Sequence, residues 1–320
     1  QVVPGSALVI NAEYDAATVL IETQDWRRAG QVLERFRQQY PKHPLQAGVT
    51  EKLALVYTQS GQGLKAAGEM ERLALNASDR NYRQEMIWQA AGLYKDGGET
   101  ARAMALYERY VKEFPQQLPQ SMEARSYLAQ HYQQQRDAKR WGYWLNEIIK
   151  ADSAAGPQRT DRTRTLAAEA TLVLAQPRLS AYKKATLSIP LKQSLQRKKT
   201  LMEDAIKSYE RAMAYQIGEA TTAATYQIAE IYNDFGRALM ASQRPPGLSA
   251  EELEEYVLLL EEQAFPFEEK AIDIHAANLN YTADGIYDEW VKKSHQQLIK
   301  LQPARYAKSE RNDAYTAALH

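Results

Sequence analysis

Apolar positions in the first half of the chain recur with a helical period, in pairs of helix-length segments separated by turn residues. Ala29, Leu33 and Phe36 stand four and three apart, followed by Tyr40 and Pro41. Such spacing puts side chains on one face of a helix. The skeleton returns as Ala66, Met70 and Leu73, with Ser78 at the Pro position, and as Ala103, Tyr107 and Tyr110 before Pro115. A fourth copy reads Trp141, Leu145 and Ile148 before Ser153. The anchors Ala29, Ala66, Ala103 and Trp141 are therefore 37, 37 and 38 residues apart. Nine residues before each anchor stands Leu20, Tyr57, Tyr94 or Tyr132, in an apolar segment that carries small residues such as Ala90, Ala91 and Ala129. Ser60-Gly61 and Gly97-Gly98 are turn signals between the two segments. Each unit is thus predicted to be a helical hairpin. Small residues let its two helices approach, large ones fill the space to the next hairpin, and Pro ends the second helix.

Four copies in register over residues 7–155 resemble the tetratricopeptide repeat (TPR), a helical hairpin of 34 residues. The three or four extra residues per unit lengthen a helix or an inter-repeat loop. The resemblance implies an all-α, right-handed TPR-type solenoid of about six to seven hairpins, each burying its apolar face on its neighbours.

Beyond Asp152 the register is lost. Breaks are expected at 151–157, at Ala175-Gln176-Pro177 and at Ile189-Pro190, with a long helix from Leu191 to Ile217. Ala205, Tyr209 and Ala212 restore the second-helix signature, and residues 225–236 carry a first-helix signature. Ser249 with Glu252 forms a capping-box pattern. A helix from Glu251 is expected to stop at Phe265-Pro266, resume through Ala271 and end near Asn278, and a last one to run from Ala283 to Leu301. Residues 1–155 are read as regular repeats and 156–320 as an irregular, helix-lengthened continuation of the same solenoid.

Four C-terminal stretches, Met202–Ala212, Arg244–Ser249, Glu261–Ile272 and Gly285–Lys292, look like the C-terminal region of large bacterial TPR proteins. Those proteins are associated with myxobacterial gliding-motility machinery and with related gamma-proteobacterial envelope gene clusters encoding Tol- and TonB-type motors. This resemblance implies a Gram-negative periplasmic or envelope-associated scaffold longer than this chain, with no catalytic residue to carry over. The start at Gln1 without Met and the uncapped end at His320 fit an excised piece of a longer protein.

Composition narrows the alternatives. Of 320 residues, 40 are Lys or Arg and 40 are Asp or Glu, so the chain lacks the basic excess of a general nucleic-acid binder. With no Cys there is no disulfide, thiolate metal site or thiol nucleophile. No window approaches the ~20 apolar residues of a bilayer span. His43, His131, His275, His295 and His320 show no metal-ligand spacing, and neither GxSxG nor a P-loop is present. Paired carboxylates such as Glu251-Glu252 and Glu268-Glu269 point apart on a helix and belong to solvated faces. The chain is therefore expected to be no enzyme and to use no cofactor or metal. Charge is uneven, however: residues 156–199 carry ten basic and two acidic groups, residues 243–274 nine acidic and two basic. The two segments could orient a partner or neutralise each other.

The concave surface of a TPR array is lined by first-helix positions two, five, nine and twelve. Here these give Asn11, Tyr14, Thr18, Glu51, Thr58, Glu85, Trp88, Lys95, Glu123, Gln130, Tyr226 and Asn233. Amides pair with peptide backbone and rings cover apolar side chains, so this surface suits an extended or helical peptide. Trp88 and Tyr14 are the candidate anchors, with packing between repeats as their alternative role. The carboxylate clamp of chaperone cofactors needs Lys and Asn where Tyr14 and Thr18 stand, and is disfavoured. The expected function is a protein-protein interaction scaffold, its partners other envelope-complex components, with no nucleic acid and no membrane insertion. A peptide- or glycan-binding accessory module of envelope assembly is the alternative, and an enzyme regulator that sequesters a helix a second.

Overall fold

A computed structural model describes residues 7–307. Among these, α-helices and two 3-10 turns are the only regular elements. The chain divides into two compact units between Trp144 and Leu145.

The first unit contains α1 (Ala7–Glu22), α2 (Trp26–Gln39), α3 (Gln46–Gln59), α4 (Gly63–Asn76), α5 (Arg80–Asp96), α6 (Thr100–Glu113) and α7 (Leu118–Gln134), and α8 (Ala138–Ala154) begins in it. Helices α1 to α7 pack in sequence, each on the next. Hairpin contacts use the small residues that the repeat supplies: Ala17 with Ala29, Ala54 with Ala66 and Ala91 with Ala103 are buried. Leu33, Phe36, Leu53, Ile87, Tyr107 and Tyr110 fill the layers between them and are almost wholly removed from water. Apolar area withdrawn in this way stabilises by roughly 25 cal/mol per Å2.

One turn is repeated four times. Asp25, Gln62, Glu99 and Asp137 donate their backbone N–H groups to the carbonyls of Leu20, Tyr57, Tyr94 and Tyr132 at 2.8, 2.8, 2.9 and 3.0 Å. The residue before each donor has a left-handed backbone: Gln24 at φ 58°, Gly61 at 72°, Gly98 at 81° and Arg136 at 57°. This is the Schellman ending of a first helix. Glycine adopts it without strain, whereas Gln24 and Arg136 hold it against their own Cβ atoms.

The second unit continues α8 and adds α9 (Asp161–Lys184), α10 (Leu191–Met213), α11 (Gly218–Met240), α12 (Ala250–Asn280), α13 (Glu289–Leu301) and the short α14 (Pro303–Tyr306). Its core gathers Leu179, Tyr182, Tyr209, Ile231, Phe235 and Leu239, with Tyr182 donating to the Ile231 carbonyl at 3.0 Å. Thr160 caps α9 and Ser249 with Glu252 caps α12, the latter as the sequence pattern predicts.

Three expectations need correction. Pro177 does not break the chain but lies inside α9, and Pro266 lies inside α12. Both prolines face solvent, while Ala175, Leu179 and Tyr182 on α9, and Ala264 and Ala271 on α12, keep one buried stripe continuous. The missing amide bond falls on the wet side of the helix, where water replaces it, and packing holds the rest in line. The last long helix starts at Glu289, not Ala283. Asp288 caps it by accepting from the Trp290 and Val291 amides, and residues 281–284 form a 3-10 turn that ends at Gly285 with φ 78°. Helix α10 ends at Met213, short of Ile217.

Candidate functional site

Successive hairpins of the first unit are joined by one polar triad in three copies. Tyr57 on α3 donates to Glu34 on α2, and Lys65 on α4 lies 3.5 Å from the same carboxylate and 5.0 Å above the Tyr57 ring. Tyr94 on α5 donates to Glu71 on α4 at 2.9 Å, with the Arg102 guanidinium 3.0 Å from Glu71 and 4.3 Å above the Tyr94 ring. Tyr132 on α7 donates to Glu108 on α6 at 2.9 Å, under Arg140 at 5.2 Å. Burial first, then the Glu71 hydrogen bond and charge, push the Tyr94 hydroxyl up to about 12. Burial, then the Glu34 hydrogen bond and charge, raise the Tyr57 hydroxyl likewise.

Along this side, between α2 and α4, runs an open groove of about 610 Å3. Apart from Arg72, which has no ion-pair partner among the described residues, its charges close on one another. Arg37 grips both oxygens of Glu69 at 2.7 and 2.6 Å, and Lys65 and Arg102 take Glu34 and Glu71. The triads and this groove escape the sequence reading, although the signal is present. Glu34, Glu71 and Glu108 each stand five residues after an anchor, and Lys65, Arg102 and Arg140 one residue before an anchor.

The predicted concave residues fall into two groups. Asn11 on α1, Glu51 and Thr58 on α3, Glu85 and Lys95 on α5 and Gln130 on α7 are exposed. Glu85 accepts from Gln89 at 2.8 Å, and Lys95 lies 4.4 Å above the Tyr127 ring. Tyr14, Thr18, Trp88 and Glu123 are half-buried. The Tyr14 ring packs 6.1 Å from Phe36 beneath the Lys52 ammonium at 5.1 Å, and its hydroxyl fills the space over Gly48 that a Cβ would need. Trp88 packs 5.6 Å from Tyr107 and 5.2 Å from Tyr110, so one face of its ring is committed to the α5–α6 hairpin.

In the second unit Tyr226 sits between His275 and Trp290, 5.6 Å from each ring. Asn233 is buried and lines a cleft of about 350 Å3 with Gly236, Met240, Ala264 and Glu268. Next to Tyr226 lies a buried polar network. His275 meets Ser294 at 3.1 Å and Glu230 at 3.3 Å, and Asn278 donates to Ser294 at 2.8 Å and to the Thr222 carbonyl at 3.1 Å. Thr222 in turn donates to Asp288, the cap of α13. The network ties α11, α12 and α13 together.

Among the described residues no three His, Asp or Glu side chains cluster as metal ligands, and no helix is long and apolar enough to cross a membrane. His320 lies outside the described residues.

A family comparison bears on two of these hairpins. The tetratricopeptide repeat model matches residues 11–43 and 85–116. Those two segments, α1–α2 and α5–α6, are similar to tetratricopeptide repeats. The described residues are all-α, with consecutive helices packed as in a helical solenoid, and tetratricopeptide repeats of the kind matched imply a protein-protein interaction scaffold. No curated protein matches the chain. Among solved structures it is similar to a TPR protein from Parabacteroides merdae, at 13% identity over 91% of this chain and 98% of that one, with a TM-score of 0.34. A TPR repeats protein from Bacteroides fragilis is 12% identical over 91% and 98%, with a TM-score of 0.31. The C-terminal part of a TPR repeat-containing protein from Cytophaga hutchinsonii is 10% identical over 92% and 97%, with a TM-score of 0.33.

Proposed function

We propose that this TPR array is a non-catalytic scaffold of the Gram-negative cell envelope, working with a motility or energised-transport complex, and that the first-helix surface of its first unit takes a peptide segment of a partner. The observation that carries the reading is a division of labour among polar residues. Those of the triads and the Arg37–Glu69 pair are engaged in bonds between hairpins, whereas Asn11, Glu51, Glu85, Lys95 and Gln130 are exposed on successive first helices. A row of exposed polar groups at the repeat spacing, with the partly exposed rings of Tyr14 and Trp88 among them, offers both backbone pairing and apolar cover to an extended chain. The envelope setting draws its support from the likeness of the C-terminal stretches to gliding-motility TPR proteins.

The test is a crosslinked pull-down from a Gram-negative envelope fraction, read by mass spectrometry, with the Glu85→Lys, Lys95→Glu double variant in parallel. Inner-membrane motor or outer-membrane proteins recovered by the wild-type chain and lost by the variant are the expected result. Recovery of peptidoglycan-associated enzymes alone would instead favour an accessory module of envelope assembly. Equal recovery by both chains would move the binding surface elsewhere.

A further inference from the structure

The second unit holds a cleft of about 500 Å3 between the end of α8, the middle of α9 and the end of α10. In the repeat register it corresponds to the groove between α2 and α4. Ile149 stands eight residues after Trp141, as Arg37 does after Ala29, and Ser208 stands three after Ala205, as Glu69 does after Ala66. Where the first groove has its two-pronged ion pair, this cleft has an isoleucine and a hydroxyl. Asn146 likewise replaces Glu34, and Glu210, the counterpart of Glu71, does not line the cleft.

One base keeps its place and two are new. Arg211 keeps the place of Arg72, and Arg159 and Arg178 add two more guanidinium groups to the lining. The one carboxylate there, Asp152, is wholly buried and is taken by Arg159 at 2.7 Å. That contact, with the Arg159 guanidinium 5.6 Å from the Tyr215 ring centroid, fixes the arginine against the wall. Arg178 has a single long bond of 3.4 Å to the Leu174 carbonyl, and neither it nor Arg211 has an ion-pair partner among the described residues. Two unneutralised guanidinium groups therefore stand over a floor that includes Ile149, Leu174 and Ala175.

We infer that this cleft is a binding site for an acidic peptide segment, its carboxylates taken by Arg178 and Arg211 and a neighbouring apolar side chain laid on the Ile149–Leu174 floor. Guanidinium forks match carboxylates in shape and charge, and carboxylate bonds to arginine are stronger than neutral ones. The inference rests on the reading of the chain as a binder of protein segments, but places this contact in a different unit from the Glu85–Lys95 surface.

The experiment is isothermal titration of the full chain with an acetylated eight-residue peptide of alternating Glu and Leu, at two salt concentrations. The expected result is saturable binding that weakens with salt, falls about tenfold in Arg178→Gln and in Arg211→Gln, and is unchanged in Arg72→Gln in the first unit. Replacing every Glu of the peptide by Gln should abolish it. Absence of saturable binding, equal affinity in the Arg178→Gln, Arg211→Gln double variant, or competition by inorganic phosphate at the concentration of the peptide would overturn the inference. Persistence of peptide binding in the Glu85→Lys, Lys95→Glu variant separates this site from the first-unit surface.

Discussion

The Tyr94 hydroxyl donates to Glu71 at 2.9 Å, binding the first helix of one hairpin to the second helix of the hairpin before it. Arg102, on the following helix, completes the triad from above the ring. Because the same three residue types recur at Glu34–Tyr57–Lys65 and Glu108–Tyr132–Arg140, each hairpin is fastened to its predecessor by the same device. In a repeat array, stability is a sum of units and nearest-neighbour interfaces. The triad is a polar part of that interface, laid over the Ala and Tyr packing beneath.

Tyr94→Phe should therefore keep the ring packing and the Arg102 contact while losing only the hydroxyl bond. A loss of about 0.5–1.5 kcal/mol in unfolding free energy is expected by urea titration. In a double-mutant cycle with Glu71→Ala, which leaves no acceptor, the two changes should be non-additive, because each removes the same bond. Strict additivity would mean that the hydroxyl and the carboxylate do not act together.

The hairpins were legible because their signal is steric and periodic. Ala29, Ala66 and Ala103 can be nothing else where two helices cross at close range, and all three are buried. The triad was harder to see, since Glu34, Glu71 and Glu108 read singly as solvated charges and gain meaning only when aligned by the period. The prolines failed for the opposite reason. Pro177 and Pro266 are strong local breakers, but which face of the helix they occupy depends on the buried stripe around them. Trp88 was legible as an aromatic on the first helix, whereas its contact with Tyr107 and Tyr110 joins two helices and belongs to the tertiary fold.

Ala103 has no exposed surface. Ala103→Leu adds three carbons where α5 and α6 have no room, and overpacking of this kind costs roughly 1–3 kcal/mol. The melting temperature should fall accordingly. An unchanged value would place the hairpin contact at another residue.

The repeated turn gives a prediction of opposite sign. Arg136 holds φ at 57°, where Gly61 and Gly98 stand in the two preceding hairpins. A left-handed backbone costs a residue with a Cβ about 1–2 kcal/mol, and glycine gives back part of that through its freer unfolded chain. Arg136→Gly should therefore raise stability, by up to about 1 kcal/mol, in spite of the usual penalty for adding glycine. A decrease in the urea midpoint would show that the Arg136 side chain contributes more than its backbone costs.

Glu230 supplies a pH dependence. Burial alone would raise its carboxyl, but the hydrogen bond and charge of His275, with Arg237 and Lys183 beyond, outweigh it and hold the group below the usual carboxylate value. A folded-state value below the unfolded one means that the fold binds this proton less readily than the open chain does. The stabilisation is thus fully present above the unfolded value, about 4.3, and is lost as pH falls through the lower folded value. Wild type should exceed Glu230→Gln in unfolding free energy near neutral pH, and the gap should close in acid. A gap independent of pH would assign Glu230 a packing role only.

Trp88 tests the peptide surface, but its packing changes what a deletion can show. Its ring lies against both Tyr107 and Tyr110, so Trp88→Ala opens a void in the α5–α6 hairpin, and aromatic-to-alanine changes in a full core cost about 3–5 kcal/mol. The half-exposed position should place this variant at or below the lower end of that range, with helicity by circular dichroism preserved at low temperature and the melting point reduced. Binding lost in Trp88→Ala would then be ambiguous between a missing anchor and a loosened hairpin. Trp88→Phe separates them, because a smaller ring keeps an aromatic contact with the two tyrosines while shrinking the exposed face. If the exposed face anchors the partner, affinity should drop in Trp88→Phe at temperatures where the variant is as folded as wild type. Equal affinity there would make Trp88 a packing residue and leave binding to the exposed polar row of Glu51, Glu85, Lys95 and Gln130.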